Sequence, residues 1–344
     1  MLYHVNDEEM IPTDHPLRRL LPLVNDALHG ISRDLDAIYA ADGRKSIPPE
    51  RLLRALLLQA LYGIRSERLL VEQLHYNFLF RWFVGLGPDD PVWHPTSFTK
   101  NRDRLIAGEI AKAFFRRVVE IAQRQGLMSD EHFSVDGTLI EAVASHKSFR
   151  PKGDSNDDGE HFHGSRRSNE THQSVTDSDA RLYRKSKAQP AQLAYMGHVL
   201  MENRNALIAD VALTLATGFA ERETALGMIA GVRGNHRITI GADRGYDVAS
   251  FVAGMRELRA TPHIATNDAR CGGSRLDGRT VRHPSYAVSQ FKRKSIEKIF
   301  GWMKAFAGYR KTRHRGRRRV GWQFTFLAAT YNLMRIRNLG AVTA

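Results

Sequence analysis

The chain has 344 residues, 42% of them hydrophobic, which is enough for about two domains with a sizeable core. No apolar run approaches the roughly 20 residues that a membrane span requires, and the acidic start MLYHVNDEEMIPTDHP lacks a secretory n-region, so a cytoplasmic protein without a membrane partner is expected. The lone Cys271 excludes an internal disulfide framework or a multi-cysteine zinc site, while 51 Lys and Arg against 37 Asp and Glu give a formal charge of +14, which predicts a polyanionic partner such as nucleic acid.

From Pro48 to about Gly126 the pattern is helical. Leu52, Leu53, Leu56, Leu57, Ala60 and Leu61 recur at helical spacing after a Pro-Pro start. A second helix is expected from about Ser66 through Leu86, and Pro88 to Pro95 breaks the chain. Thr96-Ser-Phe-Thr-Lys-Asn-Arg-Asp-Arg-Leu opens another, which suits either a helix entering a DNA groove or a plain bundle scaffold. Trp82 and Trp93 read as core and loop anchors rather than base-stacking groups.

After Met128 the period changes from helix to strand. His132 to Ala142 reads as a strand with Ser134, Asp136 and Thr138 on one face. The stretch 145–190 is polar and nearly empty of aliphatics, which predicts a long insertion or mobile loop. His161, His163 and His172 lie in it, but neither a nearby cysteine nor a helical HxxxH pair supports zinc. Leu193 to Met201 and Ala206 to Leu215, joined by an Asn-containing turn, read as a hairpin. A helix from Ala220 to about Val232, a strand at Arg237 to Gly241, a helix from Val248 to Leu258 and a strand at Thr261 to Ala265 follow. This order predicts an α/β fold, a mixed sheet with helices on its faces.

Asp243 ends the buried strand Ile238-Thr-Ile-Gly-Ala and precedes Gly245, and functional groups collect where strands of open α/β sheets end. Glu297 lies in the basic amphipathic segment Lys292 to Lys304. At 3.6 residues per turn, Arg293, Glu297 and Lys304 share one stripe, beside an apolar face of Ile296, Ile299, Phe300 and Met303. For the helix taken alone, an ordinary surface helix with internal ion pairs is the preferred reading. Brought together, Asp136, Asp243 and Glu297 would bind two Mg2+ or Mn2+ ions, an arrangement that serves in-line displacement at phosphorus. Downstream, Arg310 to Arg319 holds seven cations in ten residues, a phosphate-tracking strip, and 320–338 reads as an apolar helix that would hold it in place.

Ser134-Val-Asp-Gly-Thr, Gly241-Ala-Asp-Arg-Gly-Tyr-Asp and Arg293-x3-Glu297-x6-Lys304 resemble the three acidic blocks of DDE transposases of bacterial insertion sequences. The match is nearest to the insertion sequence 5 family, within the broader group that includes the insertion sequence 4 family. It runs over nearly the whole chain, including the polar block from Arg167 to Lys185. The resemblance implies a helical N-terminal DNA-binding domain over 1–128 and a ribonuclease H-like catalytic core over 129–344. Asp136 would come from the first core strand, Asp243 from the fourth and Glu297 from a later helix, as catalytic groups and ligands of two Mg2+ ions, with Mn2+ as a substitute. It also implies binding of terminal inverted repeats, cleavage at the element ends and strand transfer into target DNA, by a homodimer on paired ends. Arg293 and Lys304 match the basic members of the third block. With Arg244, Arg317, Arg318 and Arg319 they are the expected contacts to double-stranded DNA. The related pattern has a tyrosine where this chain has Gln290, although Tyr286 lies one turn away. A catalytically silent regulator and a nuclease that cuts without joining are the competing readings.

Overall fold

The computed structural model describes residues 7–39, 46–152, 167–184, 190–232 and 234–340. Eight helices come first: α1 (Asp7–Met10), α2 (Pro16–His29), α3 (Ser32–Ala37), α4 (Pro49–Leu61), α5 (Glu67–Tyr76), α6 (Phe78–Val84), α7 (Pro95–Ala107) and α8 (Ile110–Arg124). Proline stands at the start of α4, where its missing N–H costs nothing, and Leu52, Leu53, Leu56 and Leu57 are buried along it. The single helix expected over 66–86 is two. Asn77 adopts an extended backbone, ends α5, and caps α6 by accepting from Phe80 N at 3.2 Å. Gly85, at φ 84°, then stops α6 with the left-handed turn that glycine adopts without a Cβ penalty.

Along α7, Phe98, Asn101, Arg102, Leu105 and Ile106 are buried. Arg102 is paired with Glu67 and Asp103, so the outward groups of this helix are Thr96, Ser97, Lys100 and Arg104. Trp82 is buried and donates to Glu8 at 2.9 Å, and Trp93 packs against Phe98, as anchors do.

The strands are β1 (His132–Glu141), β2 (Phe149–Pro151), β3 (His172–Ser174), β4 (Arg181–Tyr183), β5 (Gln192–Glu202), β6 (Ile208–Leu215), β7 (Ile238–Ala242) and β8 (Ala260–Ile264). Among them run α9 (Ala220–Val232) and α10 (Ala249–Glu257), followed by α11 (Gly278–Arg282), α12 (Pro284–Lys292), α13 (Ile296–Gly301) and α14 (Arg317–Gly340). β5 lies antiparallel to β1 along its whole length, and β6 and β4 share the other edge of β5. On its opposite side β1 pairs in parallel with β7, and β7 with β8. An antiparallel half joined to a parallel half through the first long strand is the ribonuclease H-like arrangement. Phe133, Val135, Ile238, Ile240, Tyr246 and Phe251 pack on Ala225, Met228 and Ile229 of α9 to form the core on one face.

Stretch 145–190, expected as an insertion or loop, carries regular structure in its described parts. β2 and β3 form a small ribbon and β4 extends the main sheet. Polar side chains take the place of hydrophobic periodicity. The Asn169 amide brackets Leu182, donating to its O at 2.9 Å and accepting from its N at 2.8 Å, and Ser148 and Ser174 hydroxyls meet at 2.8 Å. His172 stacks on Phe149, whereas His161 and His163 lie outside the described residues.

Contacts divide the chain into two units. One gathers the described residues of Met1–Leu127, Gly301–Gly308 and Thr325–Ala344, and the other those of Met128–Phe300 and Tyr309–Phe324. No helix among the described residues is long and apolar enough to cross a membrane.

Glu202 secures the hairpin to the start of the sheet. Fully buried, its carboxylate accepts from Ser129 N (3.2 Å), Arg204 N (2.9 Å), Asn205 N (2.6 Å) and Leu207 N (3.2 Å). Glu202→Ala orphans four backbone donors at once, and the expected loss is about 3 kcal/mol or more in urea unfolding. Glu202→Gln, which keeps one acceptor oxygen, should lose markedly less. Equal midpoints for Glu202→Ala and the wild-type protein would contradict this role.

Candidate active site

The parallel pairing of β1 with β7 sets Ser134 opposite Gly241. Asp136 and Asp243 each stand two residues further along, and Asp243 keeps an extended backbone (φ −78°, ψ 177°). Side chains alternate along strands, so the two carboxylates come level on one side of adjoining strands about 4.8 Å apart. Each is oriented through one oxygen. Asp136 Oδ1 accepts from Gly137 N at 2.7 Å, and Asp243 Oδ1 accepts from Gly245 N at 2.8 Å as the cap of the 3-10 turn Arg244–Tyr246. Both side chains are half-buried, and Arg244 is exposed beside them.

The segment carrying Glu297 comes down on the same strands. Ser289 Oγ lies 2.7 Å from His132 Nε2 and 2.6 Å from His263 Nδ1. One turn later, a Cβ placed on Gly241 would sit 2.9 Å from Ser134 Oγ and 3.4 Å from Arg293 Cβ, so only glycine fits beneath the helix there. Ser289 and Arg293 therefore lay the segment over β1, β7 and β8. Glu297, exposed, follows one turn after Arg293 in the first turn of α13. The three acids do not close into a ligand set: among the described residues no group of three or more His, Cys, Asp or Glu is gathered tightly enough to hold an ion.

The uniform α-helical stripe expected over 292–304 is not kept. Arg293–Ser295 is a 3-10 turn and Trp302–Phe306 a π turn, and each change of winding rotates the following residues out of the 3.6-residue phase. Arg293 turns instead to Gln290, donating from Nε to Oε1 at 2.8 Å, while Gln290 Nε2 donates to His263 O at 2.7 Å. The residue that replaces the related tyrosine thus ties Arg293 to β8. Tyr286 donates to Ile264 O at 2.8 Å. Lys304, half-buried, lies in the π turn.

The basic run also differs from expectation in its boundary. The C-terminal helix starts at Arg317 rather than 320, so exposed Arg317, Arg318 and Arg319 form its first turn. Cations are disfavoured at a helix N-terminus. Two acids from the polar block, missed in the sequence, offset this: Asp179 Oδ2 accepts from Arg317 N at 2.8 Å and Asp177 Oδ1 from Gly316 N at 3.1 Å. Asp177 is fixed in turn by the Tyr195 hydroxyl at 2.6 Å.

Ser289 and its two histidines make a buried polar clamp under α12. With both rings neutral, one imidazole can donate to the hydroxyl while the other accepts from it. Burial first, then His132 and His283, lower the His263 pKa to about 4. Burial and Lys292 lower that of His132. The unfolded chain takes up a proton on His263 near pH 6.5 and the folded chain only near 4, so between those values the unfolded state binds more protons and stability falls as pH falls. The expected contribution of His263 is about 3 kcal/mol, fully present above pH 6.5 and lost by pH 4. Unfolding curves of wild type and His263→Gln across that range check this, and parallel pH profiles would contradict it.

A ribonuclease H-like sheet that sets an acid within its first long strand level with one at the end of the parallel strand beside it belongs to the class of nucleotidyl-transfer enzymes. Two family models match the chain: Transposase domain (DUF772) over residues 5–104 and Transposase DDE domain over residues 128–333. The chain belongs to the transposase DDE domain family, and the protein is a transposase. No curated protein matches it. Among solved structures it is similar to a piggyBac transposase synaptic complex with hairpin DNA, at 8% identity and a TM-score of 0.44 over 95% of this chain and 76% of that one. It is also similar to a Mos1 mariner paired end complex with Mn, at 12% identity and a TM-score of 0.21 over 97% and 88% of the respective chains. DDE transposases use divalent metal ions, and the donors available here are carboxylate oxygens, the hard ligands that suit Mg2+ and Mn2+.

Proposed function

We propose that the protein is the transposase of a bacterial insertion sequence, of the insertion sequence 5 family within the insertion sequence 4-like group. In this reading it binds the terminal inverted repeats, cleaves DNA at the element ends and joins the freed 3′ ends to target DNA. What supports the proposal is that Asp136 and Asp243 come level on adjoining strands and that the segment bearing Glu297 packs over those strands at Gly241. These three carboxylates would hold two Mg2+ ions, or Mn2+ in their place. Bound there, the ions would supply the activated nucleophile and neutralise the leaving oxygen of an in-line displacement at phosphorus.

The remaining roles fall to cations. Arg293, held by Gln290, and Lys304 and Arg244 would grip phosphates near the cut, and Arg317, Arg318 and Arg319 would track the duplex further away. Helices α1 to α8 would form the DNA-binding domain. Paired element ends need two active sites, so the working complex would be a homodimer on DNA.

Supplying precut element ends with free 3′-hydroxyls and a target duplex tests the joining half. Products that link end to target, formed only with Mg2+ or Mn2+, are expected. Cutting at the ends without any joined product would instead make the protein a nuclease.

A further inference from the structure

Gln290 stands where the related pattern has a tyrosine, and both ends of its amide are engaged. Nε2 donates to His263 O at 2.7 Å, and Oε1 accepts from Arg293 Nε at 2.8 Å. The helix that carries it is held to the sheet by polar bonds rather than by apolar packing. Ser289 is the buried residue of α12, bonded to two histidines, and Tyr286 donates to Ile264 O at 2.8 Å. Gln290 is therefore a strut between the backbone of β8 and the guanidinium three residues further on.

The strut decides which edge of that guanidinium is open. An arginine can meet a phosphate along the edge made by Nε and one Nη or along the edge made by both Nη groups. With Nε committed to Gln290, the second edge remains, and among the described residues neither Nη makes a hydrogen bond or ion pair. That edge belongs to the surroundings of Asp243. Arg293 Cβ lies 3.4 Å from the Cβ position on Gly241, which puts the arginine on the face of β7 that Asp243, two residues on in extended backbone, also presents. His263, the anchor of the strut, is the partner of Gly241 in the parallel register. Burial raises the Tyr286 pKa, and the Thr266 backbone and then the charge of Arg293 oppose that rise. The charge is thus felt at the end of β8, where Ile264 pairs with Ala242, the residue before Asp243.

We propose that Gln290 is a positioning residue for DNA cleavage: by holding Arg293 through Nε, it keeps the edge made by Nη1 and Nη2 aligned for two oxygens of a DNA phosphate beside Asp243. The proposal rests on the reading of Arg293 as a phosphate contact at the acid site. An unbraced arginine gives up its rotamer freedom when the phosphate arrives, whereas a braced one is already ordered, so the gain appears in the aligned complex.

The test is a double-mutant cycle on single-turnover cleavage of the element-end duplex at saturating DNA with Mg2+, beside a DNA-binding curve and thermal unfolding. Gln290→Ala is expected to slow cleavage by about ten-fold or more while DNA affinity stays within about two-fold. Its unfolding midpoint should stay near that of the wild-type protein, because Ser289 and Tyr286 still hold α12. Arg293→Ala should slow cleavage at least as much, and in that background Gln290→Ala should add less than about two-fold, since no guanidinium is left to hold. Gln290→Met, which keeps the length and lacks the amide, takes the place of the alanine variant if that one unfolds. Wild-type cleavage by the folded Gln290 variant, with Arg293→Ala slow, overturns the role of Gln290 and leaves Arg293 at the site. An equal loss from Gln290→Ala with and without Arg293 makes the amide a brace of α12 alone and also overturns the proposal. Wild-type cleavage by Arg293→Ala, or no cleavage by the wild-type protein, overturns the reading beneath it and the proposal together.

Discussion

Asp136→Asn, Asp243→Asn and Glu297→Gln are each expected to lower cleavage of an element-end duplex by at least about a thousand-fold, while DNA affinity stays within about two-fold. Loss of one anionic ligand removes several kcal/mol of transition-state charge stabilisation, and about 4 kcal/mol corresponds to three powers of ten in rate. Binding survives because the groups that grip phosphate are cations elsewhere in the protein. The substitutions are nearly isosteric, and the backbone donors at Gly137 and Gly245 keep an oxygen acceptor, so the fold should be retained. Glu297 makes the sharpest case. It is exposed in the first turn of a short helix, and replacing it should leave thermal stability unchanged. Single-turnover cleavage beside a binding curve for each variant checks the prediction. Wild-type cleavage by any one of the three would remove that residue from the site.

The second large effect concerns salt. Neutralising Arg317, Arg318 and Arg319 together should reduce the slope of log affinity against log salt by about 2.7, roughly 0.9 for each phosphate left without its cation, and weaken binding at 0.1 M salt by a few hundred-fold. All three are exposed in the first turn of α14, a helix of 24 residues anchored by Phe324, Phe326 and Leu333. Removing cations from a helix N-terminus is neutral or mildly stabilising, so weaker binding could not be attributed to unfolding. A slope equal to that of the wild-type protein would mean that this turn faces solvent in the complex.

The sheet was legible in the sequence because its signals are local. The change of period at His132, the Asn-containing turn before β6 and the strand-helix alternation that follows each announce an element within about ten residues. What pairs with what was not. The parallel register that brings Asp136 level with Asp243 joins residues more than a hundred positions apart, and nothing near either aspartate encodes it. Uniform helical phase also misled. Asn77 splits one expected helix, and the 3-10 and π turns around α13 break another, because the first is a side-chain cap and the others answer to packing rather than propensity.

Polar side chains hid the rest. The block around Asn169, Asp177 and Asp179 has a disordered composition, yet its amide and carboxylates bind specific backbone groups.

The most direct measurement maps, at single-nucleotide resolution, the cut made in a duplex carrying the element end, with wild type and Asp136→Asn, each with and without Mg2+. Cleavage at the repeat boundary that requires both the metal and Asp136 is the predicted result. A cut that persists without Mg2+ or with Asp136→Asn, or tight binding by both proteins with no cut at all, would contradict it.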